Sequence, residues 1–398
     1  MTSQQPARPL RVLITLTYYW PHISGLTLYA KRLAEGLAAR GMAVRLLTSR
    51  YDAKLPVRET IGGVEVERCG VWLRLNKGVV MPAYLWRCFR ACHEVDVVNL
   101  HLPQIEAAWV AIYARLVARK PVYTTYHCDL ELPPGLARTL FTPLIKLSHL
   151  VTVLFSTRVV CNSDDYVKAS RFLRHFRSRI EISYPPCARL ETGEAKVPMD
   201  IAEGTPLIGF VGRFAEEKGV EYIIKAIPSV LSSQPDAVFA FVGEPNALGE
   251  QVHRQLRPQI EALGDHVRLL GVLAEPELAA FYRRCDLLLL PSVNSTESFG
   301  MVQVEAMYSG VPVIASDIAG VRVPVTVTGM GRLVPPRDSN ALADAIVEAL
   351  ANREAYVRSQ ADLEGLFGVG RALDYYESLF GAAPVGVSLN DAGEPTSP

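Results

Sequence analysis

No apolar run in this chain of 398 residues approaches the roughly 20 residues that a membrane-spanning helix needs. The opening stretch, MTSQQPARPLRVLIT, holds only a short apolar strand that leads into further strand and helix pattern, which is not the layout of a secretion signal. Cysteine is sparse. Its seven residues, at 69, 88, 92, 128, 161, 187 and 285, lie scattered in apolar contexts. That reads as reduced thiols in a cytoplasmic protein rather than a disulfide frame. Cys88 and Cys92 with His93 have a spacing that reads first as helix packing, with a metal site as the lesser alternative. No G-x-G-x-x-G follows the first strand, which argues against a standard dinucleotide site. No Asp-x-Asp occurs anywhere, so no motif asks for a metal.

Net charge is missing too: 41 Lys+Arg balance 41 Asp+Glu. The balance conceals a division. Residues 1–190 carry 26 basic and 13 acidic residues, and the remainder carries 15 and 28, so the halves stand at +13 and −13. Two readings stay open: mutual attraction of two domains, or an anionic partner such as a membrane leaflet for the first half. The length suggests two domains. With 49% hydrophobic and 21% charged residues, the composition is that of an ordinary globular protein.

What is present is a repeated alternation of apolar strands and amphipathic helices. Leu10 to Thr17 reads as a buried strand, followed by a turn with Ser24-Gly25 and a helix to Arg40. Ile61 to Arg68 reads as a strand, with Ile61-Gly62-Gly63 as its turn. Val95 to Leu100 and Pro121 to Tyr126 read as buried strands, each followed at once by a histidine, His101 and His127. Leu136 to Leu154 reads as an amphipathic helix with Arg138 and Lys146. A helix opened by Ser163 and Asp164-Asp165 and running to Arg179 reads as strongly basic. Residues 185–206, rich in Pro and Gly, are the candidate linker. A second series starts at Leu207 to Val211, followed by GRFAEEKG, where Arg213 and Lys218 bracket a helix start. Cations beside helix amides suit a pyrophosphate, although such a pair is also common on surfaces. Phe367 to Phe380 reads as a last helix. Alternation throughout implies two α/β domains with parallel sheets.

Glu297 to Ser316, ESFGMVQVEAMYSGVPVIAS, is the densest stretch. It follows the apolar run DLLLLP and reads as strand, loop, helix, strand, with Glu297 in the loop and Glu305 on the helix. In an open α/β sheet the loop lies where ligands bind, outside the carboxyl ends of the strands. The helix-start amides near Phe299, Gly300, Met301 and Val302 can hold an anion. Each carboxylate can accept two hydrogen bonds from a vicinal diol. Equally, both acids could be solvated helix-end charges.

This stretch resembles the Glu-x7-Glu motif of retaining glycosyltransferases of family 4. The likeness runs through EAM-x-x-GVPVIAS, and GR-x4-KG and Thr125-Tyr126-His127 extend it. It covers roughly residues 10–381. The resemblance implies the GT-B fold, two Rossmann-like domains facing across a cleft. Residues 1–190 would be the acceptor domain, completed by a helix at 367–381. Residues 191–366 would be the nucleotide-sugar domain, and 383–398 a disordered tail.

The implied activity is retaining, metal-independent transfer of a hexose from a nucleotide-diphosphate sugar, with no cofactor. Arg213 and Lys218 would hold the diphosphate, Glu305 the ribose, and Glu297 with the Phe299 and Gly300 amides the sugar. His127 would contact the sugar, and Gly25 would approach the donor phosphates. Where many members read Pro-Asn-Gly-Val-Asp, this chain has Tyr184-Pro185-Pro186-Cys187-Ala188 and lacks the Asn and Gly. The implied donor is a nucleotide sugar; the +13 charge of the first half and its basic helix point to a lipid-linked, phospholipid or glycan acceptor met at the inner face of the plasma membrane. The rivals are a nucleotide-sugar epimerase of the same fold and a non-catalytic nucleotide-sugar binding module.

Overall fold

The structure is a computed structural model and describes residues 8–75, 78–130, 136–191, 193–243 and 250–382. The tail from 383, the loop after Gly243 and part of the loop at 128–135 lie outside the described residues. In chain order the first elements are β1 (Arg11–Thr15), α1 (Gly25–Ala39), β2 (Ala43–Arg50), β3 (Arg58–Ile61), β4 (Val64–Gly70), β5 (Leu73–Leu75) and β6 (Gly78–Val80). They are followed by α2 (Tyr84–Glu94), β7 (Val97–Leu102), α3 (Ala107–Leu116), β8 (Val122–Tyr126), α4 (Leu136–Phe155), β9 (Arg158–Cys161), α5 (Asp164–Ala169) and β10 (Ile180–Ile182). Next come β11 (Leu207–Val211), α6 (Val220–Ser233), β12 (Val238–Val242), α7 (Glu250–Ala262), β13 (Val267–Gly271), α8 (Glu275–Arg284) and β14 (Leu287–Leu290). The last are α9 (Met301–Tyr308), β15 (Val313–Ser316), α10 (Val323–Thr328), β16 (Gly331–Val334), α11 (Ser339–Ala351), α12 (Gln360–Phe367) and α13 (Val369–Gly381).

These elements form two compact units. Unit 1 takes the chain up to Cys161, Phe172–Pro186 and the chain from Val369 on; unit 2 takes Asn162–Arg171 and Cys187–Gly368. The division departs from a boundary near 190 in one respect above all: ten residues near the end of the first half, Asn162–Arg171, belong to unit 2.

Unit 1 is built on an eight-stranded sheet, ordered β10-β9-β8-β7-β1-β2-β4-β3. Every pairing is parallel except β3 with β4. The single strand read at Ile61 to Arg68 is in fact a hairpin. Gly62 and Gly63 take φ of +53° and +81°, which turns the chain between β3 and β4. The apolar runs at β7 and β8 are buried along their whole length, as strands covered on both faces must be.

The basic helix read from Asp164 to Arg179 is not one helix. α5 ends at Ser170, which is extended, and Leu173–Arg179 is a short 3-10 segment interrupted by non-helical Phe176. The break separates two jobs: Asp165 binds Arg322 in unit 2, whereas Phe172 stacks on Tyr126 in unit 1 with ring centroids 5.9 Å apart. The final helix read from Phe367 to Phe380 is α13, and Gly368 separates it from α12. Phe367 ends α12 in unit 2, edge-on to Phe299, and α13 packs on α1 in unit 1.

Unit 2 has a six-stranded, all-parallel sheet, ordered β13-β12-β11-β14-β15-β16. Its core joins Phe210, Phe239, Phe241, Leu287 and Leu289 of the sheet to Ile223 and Ile227 of α6 and Ile346 of α11. The run of four leucines in β14 is fully buried, which explains why it shows no polar alternation.

α13 brings Tyr376 into the middle of unit 1. Its hydroxyl lies 2.8 Å from Thr125 Oγ1 and 2.9 Å from Tyr29 OH, and all three residues are buried. Deleting it leaves two buried hydroxyls short of a partner, which costs about 1–3 kcal/mol. Tyr376→Phe is therefore expected to lower the melting temperature by several degrees while Tyr375→Phe, at a half-buried site, lowers it less. Equal melting of Tyr376→Phe and the unaltered chain contradicts the assignment.

Candidate active site

The site in unit 2 follows from strand adjacency. β11 lies beside β14, with Ile208 opposite Leu287 and Phe210 opposite Leu289. After β11 the chain builds β12 and β13 on one side and then returns to β14 on the other. A crevice opens at such a reversal, outside the carboxyl ends of the strands. The loops that line it here are 212–219 and 291–300.

Backbone contacts fasten these two loops. Val293 N donates to Glu217 O at 3.0 Å. Gly219 has φ of +68°, and a Cβ there would come within 2.0 Å of Pro291 O. The glycine of GR-x4-KG is thus required both by its left-handed backbone and by this approach. The outcome is a contact between side chains 79 positions apart: Lys218 Nζ donates to Glu297 Oε2. Arg213 Nη2 donates to Glu217 Oε1 at 3.0 Å. Lys218 and Glu297 are each mostly buried, and Arg213 is about one-third exposed.

Helix α9 starts beside them. Gly300 is its N-cap, in the left-handed region, and Met301 and Val302 are its first residues. Amides at these positions have no acceptor within the helix. The Phe299 ring is buried against Phe367. Gln303 Nε2 donates to Phe299 O at 2.8 Å and to Val321 O at 3.0 Å, which steadies the loop entering the helix. Glu305, one turn on, is 4% exposed and accepts from Tyr282 OH at 3.2 Å.

α5 and the residues before it brace the same loop. Asn162 Nδ2 donates to Ser298 Oγ at 3.0 Å, and Tyr166 OH donates to Ser295 O at 3.0 Å. Asp165 accepts from Gly320 N at 2.8 Å and twice from Arg322, each at 2.9 Å. These bonds hold the Asp165 carboxyl below the usual range, against the opposing effect of its partial burial. The chain reaches this arrangement from both flanks of Glu297, and no local sequence signal announces it.

In unit 1 the same rule places Gly25 and His127. Gly25 is the first residue of α1, which follows β1 and is capped by Ser24. A Cβ at Gly25 would meet nothing within 4 Å. His101 lies in β7 and His127 directly follows β8. Their rings are bonded, His101 Nδ1 to His127 Nε2, at 2.9 Å. His101 Nε2 lies 2.9 Å from Asn99 Oδ1. Asn99 Nδ2 donates to Tyr123 O and to Thr125 Oγ1, both at 3.2 Å. Tyr29 meets both imidazoles edge-on. Burial drives the His127 pKa down to about 3, and burial together with the neighbouring ring holds His101 well below its ordinary value. Asn99 escaped the sequence reading, although it lies two residues before His101 and so shares its face of the strand.

Cys88 and Cys92 are fully buried, and the His93 ring is turned to Tyr113 OH at 2.9 Å, so this trio is helix packing. Among the described residues, no helix is long and apolar enough to cross a membrane.

Two family profiles match the chain: a glycosyl transferase 4-like domain over residues 24–185, and glycosyl transferases group 1 over residues 192–361. The chain belongs to the family 4 glycosyltransferases. The phosphatidyl-myo-inositol mannosyltransferase of Mycobacterium leprae is 29% identical to this glycosyltransferase, over 89% of this chain and 91% of that protein. The D-inositol 3-phosphate glycosyltransferase of Geodermatophilus obscurus is also 29% identical, over 90% and 85%. Among solved structures, Anabaena HepE in complex with UDP-glucose has a TM-score of 0.72 at 20% identity, covering 94% of this chain and all of that one. The fold of this glycosyltransferase is GT-B.

The neutral histidines of unit 1 have a consequence for stability. His149, on α4, is also driven down, to about 4, by burial. An unfolded histidine takes a proton near pH 6.5, whereas these three do not. Their contribution is complete above pH 6.5 and is lost as pH falls toward their folded values, by about 1.4 kcal/mol per pH unit for each. Thermal melting between pH 7 and 4.5 is expected to fall steadily, and less steeply in His149→Phe. A flat melting profile over that range contradicts the neutral assignment.

Proposed function

We propose that the chain is a retaining, metal-independent hexosyltransferase. It moves a sugar from a nucleotide-diphosphate sugar to an inositol-phosphate or phosphatidylinositol type of acceptor. The observation that carries this reading is the convergence of Lys218 and Glu297 beside Arg213 and the α9 amides. In this reading the donor diphosphate takes Lys218 and Arg213 from their carboxylate partners, and the amides of Met301 and Val302 complete the anion site. Two guanidinium and ammonium charges then stabilise the departing diphosphate, the task that a divalent metal performs elsewhere.

Glu305, buried one turn along α9, takes the ribose diol. Glu297, released from Lys218, accepts from hydroxyls of the sugar together with the Phe299 and Gly300 amides. His127 takes one sugar hydroxyl, and Gly25 lies against the donor phosphates. Glu297 is committed to hydroxyls, so the acceptor oxygen attacks from the side the diphosphate leaves. The bond from the anomeric carbon to the diphosphate breaks, the new glycosidic bond forms on the same face, and the acceptor proton passes to a diphosphate oxygen. The HepE complex with UDP-glucose supports a nucleotide-sugar donor. The names of the Mycobacterium and Geodermatophilus relatives support an inositol-bearing acceptor.

The acceptor is taken at an anionic membrane surface on the inner face. α4 of unit 1 exposes Phe141, Leu144 and Leu147 beside Lys146, while Ile145, Ser148, His149 and Thr152 face inward. Arg179 donates to Leu154 O and Ser156 O at the end of α4, which places the exposed segment with Arg174 and Arg177 next to it. Apolar side chains flanked by cations fit an anionic leaflet, each cation contributing about 1 kcal/mol.

Two measurements test the reading. Arg213→Ala and Lys218→Ala are each expected to weaken nucleoside diphosphate binding roughly tenfold to a hundredfold, since a charge-assisted bond contributes about 1.5–3 kcal/mol. Transfer from a labelled nucleotide sugar to phosphatidylinositol should continue in EDTA. Undiminished nucleotide affinity in both variants, or activity lost to EDTA and restored by magnesium, defeats the clamp. In co-sedimentation the protein should bind anionic vesicles in low salt and release in high salt, with Leu147→Glu and Arg174→Glu weakening it. Equal binding to neutral and anionic vesicles in low salt argues for an acceptor met in solution.

A further inference from the structure

We infer that Asn99 is a positioning residue: acting through His101, it fixes which nitrogen of His127 carries the proton. The inference rests on the reading that His127 contacts the transferred sugar, and it adds the sense of that contact.

The argument is donor and acceptor bookkeeping. The side-chain nitrogen of Asn99 lies 3.2 Å from the main-chain oxygen of Tyr123. A carbonyl oxygen only accepts, so the NH2 group must face it, and Oδ1 must face His101. That orientation also serves the 3.2 Å bond from Nδ2 to Thr125 Oγ1. Oδ1 only accepts in turn, so His101 Nε2, 2.9 Å away, must carry a hydrogen. A neutral imidazole has one N–H, and His101 is fully buried with no carboxylate among its hydrogen-bond partners. Its Nδ1 is therefore a bare lone pair. The group facing that lone pair is His127 Nε2 at 2.9 Å, which must donate. His127 is neutral as well, so its own Nδ1 has no hydrogen.

The relay thus ends in an acceptor. Asn99 and His101 have no exposed surface, while His127 keeps 6%. The ring with any access to a ligand is held so that Nδ1 receives a hydrogen bond from a sugar hydroxyl and cannot donate one to a ring or bridging oxygen. A donor at that place would instead favour the departing oxygen. The tautomer therefore assigns His127 to holding the sugar and removes it from protonating the leaving group. Tyr29, edge-on to both rings at centroid distances of 6.0 Å and 4.8 Å, restricts their rotation and keeps the sense of the relay.

The test is direct. Ring nitrogen chemical shifts of the eight histidines, in protein labelled with 15N-histidine and assigned through His101→Gln and His127→Gln, report the tautomer without reference to activity. The unaltered chain is expected to show Nε2–H at both His101 and His127. Nδ1–H at His127 overturns the inference. Asn99→Leu, close in volume, removes the acceptor, and His127 is then expected to show a mixed population. A His127 tautomer unchanged in Asn99→Leu also overturns it.

Should Asn99→Leu not fold, Asn99→Asp retains an acceptor for His101 and is expected to keep Nε2–H there. Loss of Nε2–H from His101 in Asn99→Asp counts against the relay. In transfer assays Asn99→Leu is expected to lower kcat/KM for the nucleotide sugar about tenfold, the effect of one hydrogen bond of the stronger kind, with binding of the free nucleoside diphosphate unaltered. A variant whose tautomer changes while its kcat/KM does not overturns the functional part. Failure of the underlying reading looks different: His127→Ala would then transfer sugar at the unaltered rate, while the shifts still show Nε2–H.

Discussion

The adjacency of β11 and β14 is the constraint on which the site in unit 2 depends. Neither strand is exceptional alone. Once they pair in parallel, with β12 and β13 on one flank and β15 and β16 on the other, the loops that leave their carboxyl ends must open in opposite directions. Lys218 and Glu297 meet there because the loops that carry them leave these two adjacent strands. Gly219 against Pro291 O and Val293 N on Glu217 O set the depth of that meeting. Unit 1 repeats the plan at β1 and β7, where the order reverses again and where the Gly25 turn and the strand bearing His101 lie side by side.

The candidate site residues of the two units sit among different polar groups. Unit 2 keeps its charges and pairs them: Lys218 with Glu297, Arg213 with Glu217, Arg322 with Asp165. A cation with a carboxylate neighbour loses less on leaving water than an isolated one, so these partly buried charges are tolerated. Around His101 and His127 unit 1 instead buries uncharged groups, while its buried Arg68 and Glu67 are paired with opposite charges elsewhere in that unit. Asn99, His101, His127, Thr125, Tyr376 and Tyr29 form a connected chain of hydrogen bonds without a formal charge. In a low-dielectric interior such a chain is rigid when complete and costly when broken. The site residues of the first unit are therefore held by neutral hydrogen bonds and those of the second by paired charge.

Much of this was legible in the residues. The four leucines of β14, the alternation of strands with helices, and Gly41 and Gly310, which follow α1 and α9 at positive φ, show where elements begin and end, because burial and capping are local matters. The pair of cations in GR-x4-KG and the two glutamates were legible as candidates through their place at strand ends. What stayed hidden depends on contacts distant in sequence. The run from Asp164 to Arg179 has helical composition throughout, yet Asp165 answers Arg322, 157 positions away, and Phe172 answers Tyr126. At Ile61 to Arg68 the Gly-Gly turn and the strand after it are legible, but β3 is not, because Arg58-Glu59-Thr60 carries no apolar pattern. Asn99 reads as one more polar residue in an apolar strand, since only the position of Tyr123 O gives its amide a direction.

Unit 1 is discontinuous, and this has a bearing on how the protein is made. Tyr376, which completes the hydroxyl chain of the first sheet, is translated after every strand of the second. As the chain emerges from the ribosome, β1 to β9 are available early, but Thr125 and Tyr29 lack their shared partner until α13 has been added. Unit 2 needs nothing beyond Gly368. The usual order, in which the N-terminal domain of a nascent chain matures first, is therefore inverted here: the second domain can close while the first still waits for its last helix.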